Sequence, residues 1–509
     1  MVRWFKIHAN KSKSPPIPEP KMKKSNRNVS WTPFTDNLKQ EYAIVDNELL
    51  KSIDELDIFS KAHLYGLKKT KGFSLRQGMF SIMIWPLLTV TSLHFFCGNR
   101  MAAYFNGGKD VLYDFLKRQN INWRGYRFHT AKQFYKKHEL AKESIRAATF
   151  DDTIKHRCGK NVAAVSSHFD HTFGKHVMGQ QVLEMGLSTP KAYASLDSQI
   201  YVGETKVQYT KKNLVDYRSS VGKDYMEARF IDKNQMLRNM LKRAIRMGIN
   251  FTHAIADSWF GNRDNIKAVV SLGLVAIFRM KRGNLQYIVN GRYYTATELY
   301  ALIKRRMKLS KGTTYRTYAL NVQLDLNGDK KNQDLLPVRL LFSSSTKQRK
   351  ENWVVFLSTD VVLCTEKIFE IYALRWSIEV YFKEIKQHFG FLKEQTGNYA
   401  VHYASVHLCA IRYMLVAHRM LVSGESFGAV RCKITKQLEL LTFARLLWEL
   451  FKALIYGVLD TLKSEIPKLT IELIKRKITK SITDFLDSAL QLDERYMENE
   501  LKAEAMGVL

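Results

Sequence analysis

NFTHAIADSWFGNRDNIKAVVSLGLVAIF, residues 250–278, carries two apolar strands with a helix between them. One strand runs from Asn250 to Ile255 and ends at Asp257; a helical pattern covers Asp264 to Leu272; the other strand follows over Leu274 to Phe278. Upstream, Asp224 to Met247 has helical spacing. Before it lie three β-rich runs, Ala147 to Ile154, His176 to Met185 and Lys191 to Val202, which read as an antiparallel meander. Downstream, residues 281 to about 362 are β-type, with hairpin turns expected at Asn290-Gly291 and Asn327-Gly328. A long helix then spans about Glu366 to Phe391.

The order β-β-β-α-β-α-β, completed by that late helix, is the element order of an RNase H-like fold. The expected class is therefore mixed α/β: an RNase H-like core over 146–280 and 363–395, interrupted by a β-rich insertion subdomain over 281–362. A basic arm (1–30) and a helical N-terminal domain (31–145) precede it, and a helical C-terminal domain (396–509) follows. No internal repeat is visible at periods of 20 to 50 residues.

Composition narrows the class of partner. Of 509 residues, 80 are Lys or Arg and 48 are Asp or Glu, a formal net charge of +32, more than solubility needs and suited to a polyanion. An apolar fraction of 46% supports packed cores and excludes a disordered tail. Five scattered cysteines, Cys97, Cys158, Cys364, Cys409 and Cys432, form no CxxC pair, which excludes a disulfide scaffold or zinc ribbon and fits a reducing compartment. Charge and proline near the start exclude a secretory signal over these residues. The uncharged stretch Gln77 to Asn99 is long enough to span a bilayer, but Pro86 and its polar residues favour a buried, interrupted helix, so no membrane partner is expected. The basic arm reads equally as a phosphate-grasping tail or as a solubilising one.

The chemistry concentrates on the late helix. Tyr372, Arg375, Glu379 and Lys386 fall within an arc of roughly 60° at about 100° per residue, with Lys383 close to the same stripe. Leu374, Ile378, Tyr381, Ile385 and Phe389 occupy the far side. Alone, such a stripe reads as well as a solvated amphipathic face. Two further acids raise its interest: Asp151-Asp152-Thr153 closes the first strand and Asp257 closes the fourth. A carboxylate ending an apolar strand is costly unless paired or bound to metal. Adjacent first and fourth strands would let these acids meet Glu379, and hard oxygen ligands with a phosphate substrate select Mg²⁺ or Mn²⁺.

These residues carry a resemblance. Tyr372, Arg375, Glu379 and Lys386 match at every spacing the Y-(2)-R-(3)-E-(6)-K signature of bacterial insertion-sequence transposases of the IS-four family, within the DDE superfamily. Asp152-Thr153 resembles the first acidic motif, Asp257 with its aromatic follow-on the second, and Arg375 to Glu379 the third; Asp110 to Trp123 is similar to the family's N-terminal region. The resemblance implies Asp152, Asp257 and Glu379 as catalytic ligands of two Mg²⁺ or Mn²⁺ ions. It chooses Asp152 over Asp151 because the ligand directly precedes Thr153. It gives Tyr372, Arg375 and Lys386, with Lys383 beside them, to DNA. The implied activity is cleavage of an element's ends at terminal inverted repeats and their joining to double-stranded target DNA, by two-metal-ion phosphoryl transfer in a cut-and-paste reaction through a hairpin intermediate. A homodimer in the bacterial cytoplasm is implied, with the C-terminal helices as its pairing surface. A nuclease of the same fold without strand transfer, or a silent DNA-binding derivative, are the alternatives.

Other features weigh less. His156, His168, His171 and His176 lack paired metal spacing. Arg238, Lys242, Arg243 and Arg246 read as DNA backbone contacts or as a solvated face. Trp259 and Trp353 read as buried packing before base stacking. Gly107-Gly108 reads as a turn between helices rather than a phosphate loop.

Overall fold

The computed structural model describes residues 48–489, apart from 69–73, 89, 91, 102–103, 106, 160, 171–172, 204–215, 311–312, 330 and 346–351. The expected basic arm lies outside the described residues.

Five helices open the described chain: α1 (Glu48–Glu55), α2 (Leu75–Ile84), α3 (Leu93–Asn99), α4 (Lys109–Lys117) and α5 (Trp123–Lys137). Gly108 is the N-cap of α4, in keeping with a turn between helices. Pro86 falls in a 3₁₀ turn, Trp85–Leu88, directly after α2, because its ring cannot continue the α-helical bonding.

The sheet begins with β1 (Ala147–His156), β2 (Ser166–Asp170), β3 (Lys175–Ser188) and β4 (Tyr193–Tyr201). β1 pairs antiparallel with β3, and β3 pairs with both β2 and β4. Helices α6 (Ser220–Phe230) and α7 (Lys233–Arg246) lead to β5 (His253–Ala256), then α8 (Arg263–Ser271) and β6 (Val275–Met280). β5 lies parallel to β1 on one side and to β6 on the other. The order β4-β3-β1-β5-β6 is compatible with the expected RNase H-like arrangement.

Local chemistry sets the helix starts. Asp232 caps α7, its Oδ1 accepting from the N–H groups of Asn234 and Gln235, and Asn262 caps α8 through the N–H of Asn265. Asn234 Oδ1 also accepts from the side-chain amides of Asn262 and Asn265 at 2.9 and 2.8 Å, tying the two caps together.

Residues 281–362 add β7 (Gln286–Val289), β8 (Arg292–Thr295), α9 (Ala296–Ile303), β9 (Lys308–Leu309), β10 (Tyr315–Asp325), β11 (Leu335–Ser345) and β12 (Trp353–Ser358). Asn290 and Gly291 both have positive φ, 48° and 75°, as a two-residue type I′ hairpin requires. These strands do not make a sheet of their own. β12 pairs antiparallel with β6, and β11, β10, β7 and β8 continue outward, giving one twelve-stranded mixed sheet.

The chain closes with α10 (Thr365–Ala373), α11 (Trp376–His388), α12 (Tyr399–Ser423), α13 (Phe427–Thr461) and α14 (Lys468–Ala489). α12 is apolar and long enough to cross a membrane, yet its apolar window is wholly buried, against α5 and β4 among others. One core cluster joins Ala147 of β1, Ile255 of β5 and Ile277 of β6 to Ile368, Ile371 and Tyr372 of α10, fixing α10 on one face of the sheet.

Candidate active site

Side chains alternate along a strand, so β1 presents its aspartates to opposite faces. Ala147 belongs to the cluster with Ile371 and Tyr372; Thr149 donates to Ser188, whose hydroxyl shares a hydrogen bond with Ser377 of α11; Asp151 accepts from Arg375 at 2.8 Å. The odd positions thus face α10 and α11. Asp152 faces the other way, where Lys233 at the start of α7 donates to its Oδ2 at 2.7 Å. The structure therefore does not bring Asp152, the residue expected from the sequence, to Asp257 and Glu379. Asp151 takes that place.

Asp257 reaches the same side through register. Phe150 pairs with Ala256 across the parallel β1–β5 ladder, so the next residue of each strand, Asp151 and Asp257, shares an orientation. Burial works to raise the Asp257 carboxyl, but the Ser258 side chain, Arg375, the Trp259 N–H and Arg279 outweigh it and hold it below the usual carboxylate range. Burial pushes the Asp151 carboxyl up to about 7 against the pull of Arg375, with the charges of Asp152 and Asp257 adding to the rise.

Arg375 is the centre of the cluster. One guanidinium nitrogen donates to Asp151 and another to Glu379, and the charges of Asp151, Tyr372, Glu379 and Asp257 keep the guanidinium protonated despite its burial. It stands at a break. The expected single helix from Glu366 to Phe391 is divided, with Leu374 and Arg375 forming a tight turn in which the Arg375 N–H bonds the Tyr372 carbonyl and the Ile378 N–H bonds the Arg375 carbonyl. Both are three-residue steps, tighter than the α-helical four. Glu379 still lies one turn beyond Arg375, and Ile378, Tyr381, Ile385 and Phe389 are buried on the far side as expected.

Lys386 lies near enough to feel the charge of Asp151. Burial and the Lys155 ammonium depress its pKa, opposed by Asp170 and Asp151. Lys383 is exposed. Tyr372 is only 7% exposed, its ring packed edge-on against Phe356 with centroids 4.7 Å apart; burial pushes its hydroxyl up to about 12. Its ring is a core element, and only its hydroxyl end senses Arg375, Asp257 and Arg279.

The donor chemistry of Asp151, Asp257 and Glu379 fits a hard divalent cation. Among the described residues no three Asp, Glu, His or Cys side chains converge on a metal position, and the Arg375 guanidinium holds two of the three carboxylates.

The remaining features sort themselves. His156 pairs with Asp170 and His168 shares a hydrogen bond with Ser166; His171 lies outside the described residues. Arg238 is engaged by Gln235 and Asn265, and Arg243 by Asp197 and Glu227, so half of the basic run on α7 serves internal structure. Lys242 and Arg246, with Arg243, line an open pocket of about 530 Å³. Trp353 is buried and stacked on Tyr300, as expected, whereas Trp259 is 47% exposed. Lys233 and Arg279 were not singled out from sequence. The only signal for either was a basic residue beside an element end, too common to notice without the strand register.

Two family profiles match the chain. One, described as a DDE superfamily endonuclease, covers residues 99–297 and includes Asp151 and Asp257; the other, described as a transposase DDE domain, covers residues 225–415 and includes Asp257 and Glu379. No curated protein matches it. Together the profiles support a DDE-type transposase or endonuclease, a kind of enzyme that acts on DNA and generally uses divalent metals.

Proposed function

We propose that the protein is a DNA transposase of the IS-four kind, which cleaves the ends of its own insertion sequence at terminal inverted repeats and joins them to target DNA. The observation that carries this reading is the gathering of Asp151, Asp257 and Glu379, from three elements remote in sequence, around the single guanidinium of Arg375. Asp151, Asp257 and Glu379 would hold a pair of Mg²⁺ or Mn²⁺ ions. Bound there, the ions supply activation of the attacking water or 3′-hydroxyl and stabilisation of the leaving oxygen. Asp151 takes the ligand role first given to Asp152.

Arg375 has two donors spaced for a phosphate as well as for a carboxylate, and a phosphodiester entering the cleft would compete for its fork. Lys386, beside Asp151 and Lys155, and the exposed Lys383 lie along the same helix to neutralise the adjoining backbone. Tyr372 sets the position of Arg375 from beneath and contributes its hydroxyl rather than a stacking face. Cut-and-paste through a hairpin at the element end, in the bacterial cytoplasm, completes the reading.

Homodimerisation through the C-terminal domain is supported by a stripe of exposed apolar side chains on α13, Phe443, Leu447, Leu450 and Leu454, at steps of four, three and four.

With Mg²⁺ and DNA bearing the element's ends, Asp257→Asn is expected to lower cleavage by at least about 100-fold, since even residues that only orient metal ligands cost 10- to 100-fold when lost. Binding to the same DNA should change little. Cleavage persisting in that variant would remove the carboxylate cluster from the chemistry. Joining of a labelled end to a second duplex separates a transposase from a nuclease of the same fold.

A further inference from the structure

Three hydroxyl groups in a row tie the strand that carries Asp151 to the helix that carries Glu379. Thr149 Oγ1 donates to Ser188 Oγ at 2.7 Å, Ser188 and Ser377 share a hydrogen bond at 2.7 Å, and Ser377 Oγ donates to the Leu374 carbonyl at 2.7 Å. Counting hydrogens fixes the direction. Each hydroxyl has one hydrogen to give, and that of Ser377 goes to Leu374, so Ser188 donates to Ser377 while accepting from Thr149. Thr149 and Ser188 are fully buried, where a hydroxyl without a partner is unfavourable.

The row ends where the carboxylate cluster is made. Thr149 precedes Asp151 by two residues on the same face of β1, and Ser377 precedes Glu379 by two in the first turn of α11. The Leu374 carbonyl takes both the N–H of Ser377, at 3.1 Å, and its hydroxyl. A hydroxyl bonded to the carbonyl three residues back competes with α-helical bonding and bends the chain, and here it sits at the break between α10 and α11. Ser188, opposite Ala147 in the β1–β3 ladder, fastens that bend to the sheet. Mg²⁺ binds well only where its oxygen ligands are held near octahedral positions, so any drift in the spacing of Asp151 and Glu379 would weaken its hold.

We infer that Thr149, Ser188 and Ser377 are positioning residues for the reaction: their hydrogen-bonded row sets the break between α10 and α11, and with it the spacing of the Asp151 and Glu379 carboxylates. This rests on the reading of those two acids as metal ligands. All three hydroxyl hydrogens are used within the row, so these residues act through the acids rather than on the substrate.

The test measures metal uptake rather than cleavage. The full chain is bound to DNA already cut at the element end, Mn²⁺ is titrated in, and the electron paramagnetic resonance signal of the free ion reports uptake; DNA affinity and melting temperature are followed in parallel. The wild type is expected to take up two ions per chain. Ser377→Ala and Ser188→Ala should each weaken uptake by about 10-fold, the lower end of the loss when a residue that orients a metal ligand is removed, with DNA affinity unchanged. Because both act through one row, the double variant should be no weaker than the weaker single one. Thr149→Val should also weaken uptake, and Thr149→Ser, which keeps the hydroxyl, should restore it. Should Ser188→Ala fail to fold, Ser377→Ala and Thr149→Val make the same cycle. Unchanged Mn²⁺ uptake in Ser377→Ala, whatever its melting temperature, or effects that multiply in the double variant, overturns the positioning role and leaves the metal ligands standing. Failure of the wild type to take up Mn²⁺ overturns both.

Discussion

Asp151 and Asp152 are adjacent, chemically identical and similarly exposed, and the pleat of β1 sends them to different work. Asp151 joins the Arg375 cluster, and Asp152 holds Lys233 on the opposite face. Asp151→Asn is therefore expected to lower cleavage by at least about 100-fold, as loss of a metal ligand should. Asp152→Asn should keep cleavage within about tenfold of the wild type. A parallel assay of the two variants decides the assignment, and the reverse ranking would restore Asp152. The identity of the acids was legible in the sequence because a carboxylate ending an apolar run stands out. Which of the pair mattered was not, because that depends on the register between β1 and β5, set by contacts about a hundred residues apart. Trp259 carried the same ambiguity, since apolar neighbours in sequence say nothing about exposure at a loop.

Among the elements, helices with regular periodicity and strands bounded by turn residues were readable, and the division between α10 and α11 was not. No glycine or proline marks it; the break is made by three-residue backbone bonds and by Ser377 donating its hydroxyl to the Leu374 carbonyl at 2.7 Å. α12 carries a second property that only packing reveals. It buries His402, His407 and His418, and His418 Nδ1 shares a hydrogen bond with His138 Nε2 at 2.8 Å while its Nε2 meets Glu55.

Burial lowers all four histidine pKa values, those of His138 and His402 to about 4. For His138, the charge of His418 and the lysines Lys191 and Lys137 add to the effect, and Glu55 opposes it. A histidine with a depressed folded pKa binds its proton more readily when unfolded. Its contribution to stability is full above the unfolded value near 6.5 and is lost as pH falls from there toward 4. The melting temperature should therefore drop between pH 7 and pH 5, and His138→Gln should reduce that drop by a few degrees. Parallel melting curves of the two proteins across this range would refute the point.

At the scale of the whole molecule, the net charge of +32 and the exposed stripe on α13 concern association rather than folding. A stripe at helical spacing can bury itself against a copy of itself, so the protein is expected to sediment as a dimer at micromolar concentration. The double variant Leu450→Glu, Leu454→Glu should shift it to the monomer, because burying two carboxylates at such a contact is unfavourable. A dimer unaffected by the double change would place the contact elsewhere.

The continuity of the sheet from β4 to β8 bears on how this chain can be taken apart. Excising residues 281–362 as a module would bare the edge of β6 on the remainder and the edge of β12 on the excised piece. Unpaired apolar edges of that kind recruit other chains. Hybrid proteins that exchange this segment with that of a relative would therefore have to preserve the β6–β12 seam, whereas the Asn290-Gly291 hairpin tip can be lengthened without touching it.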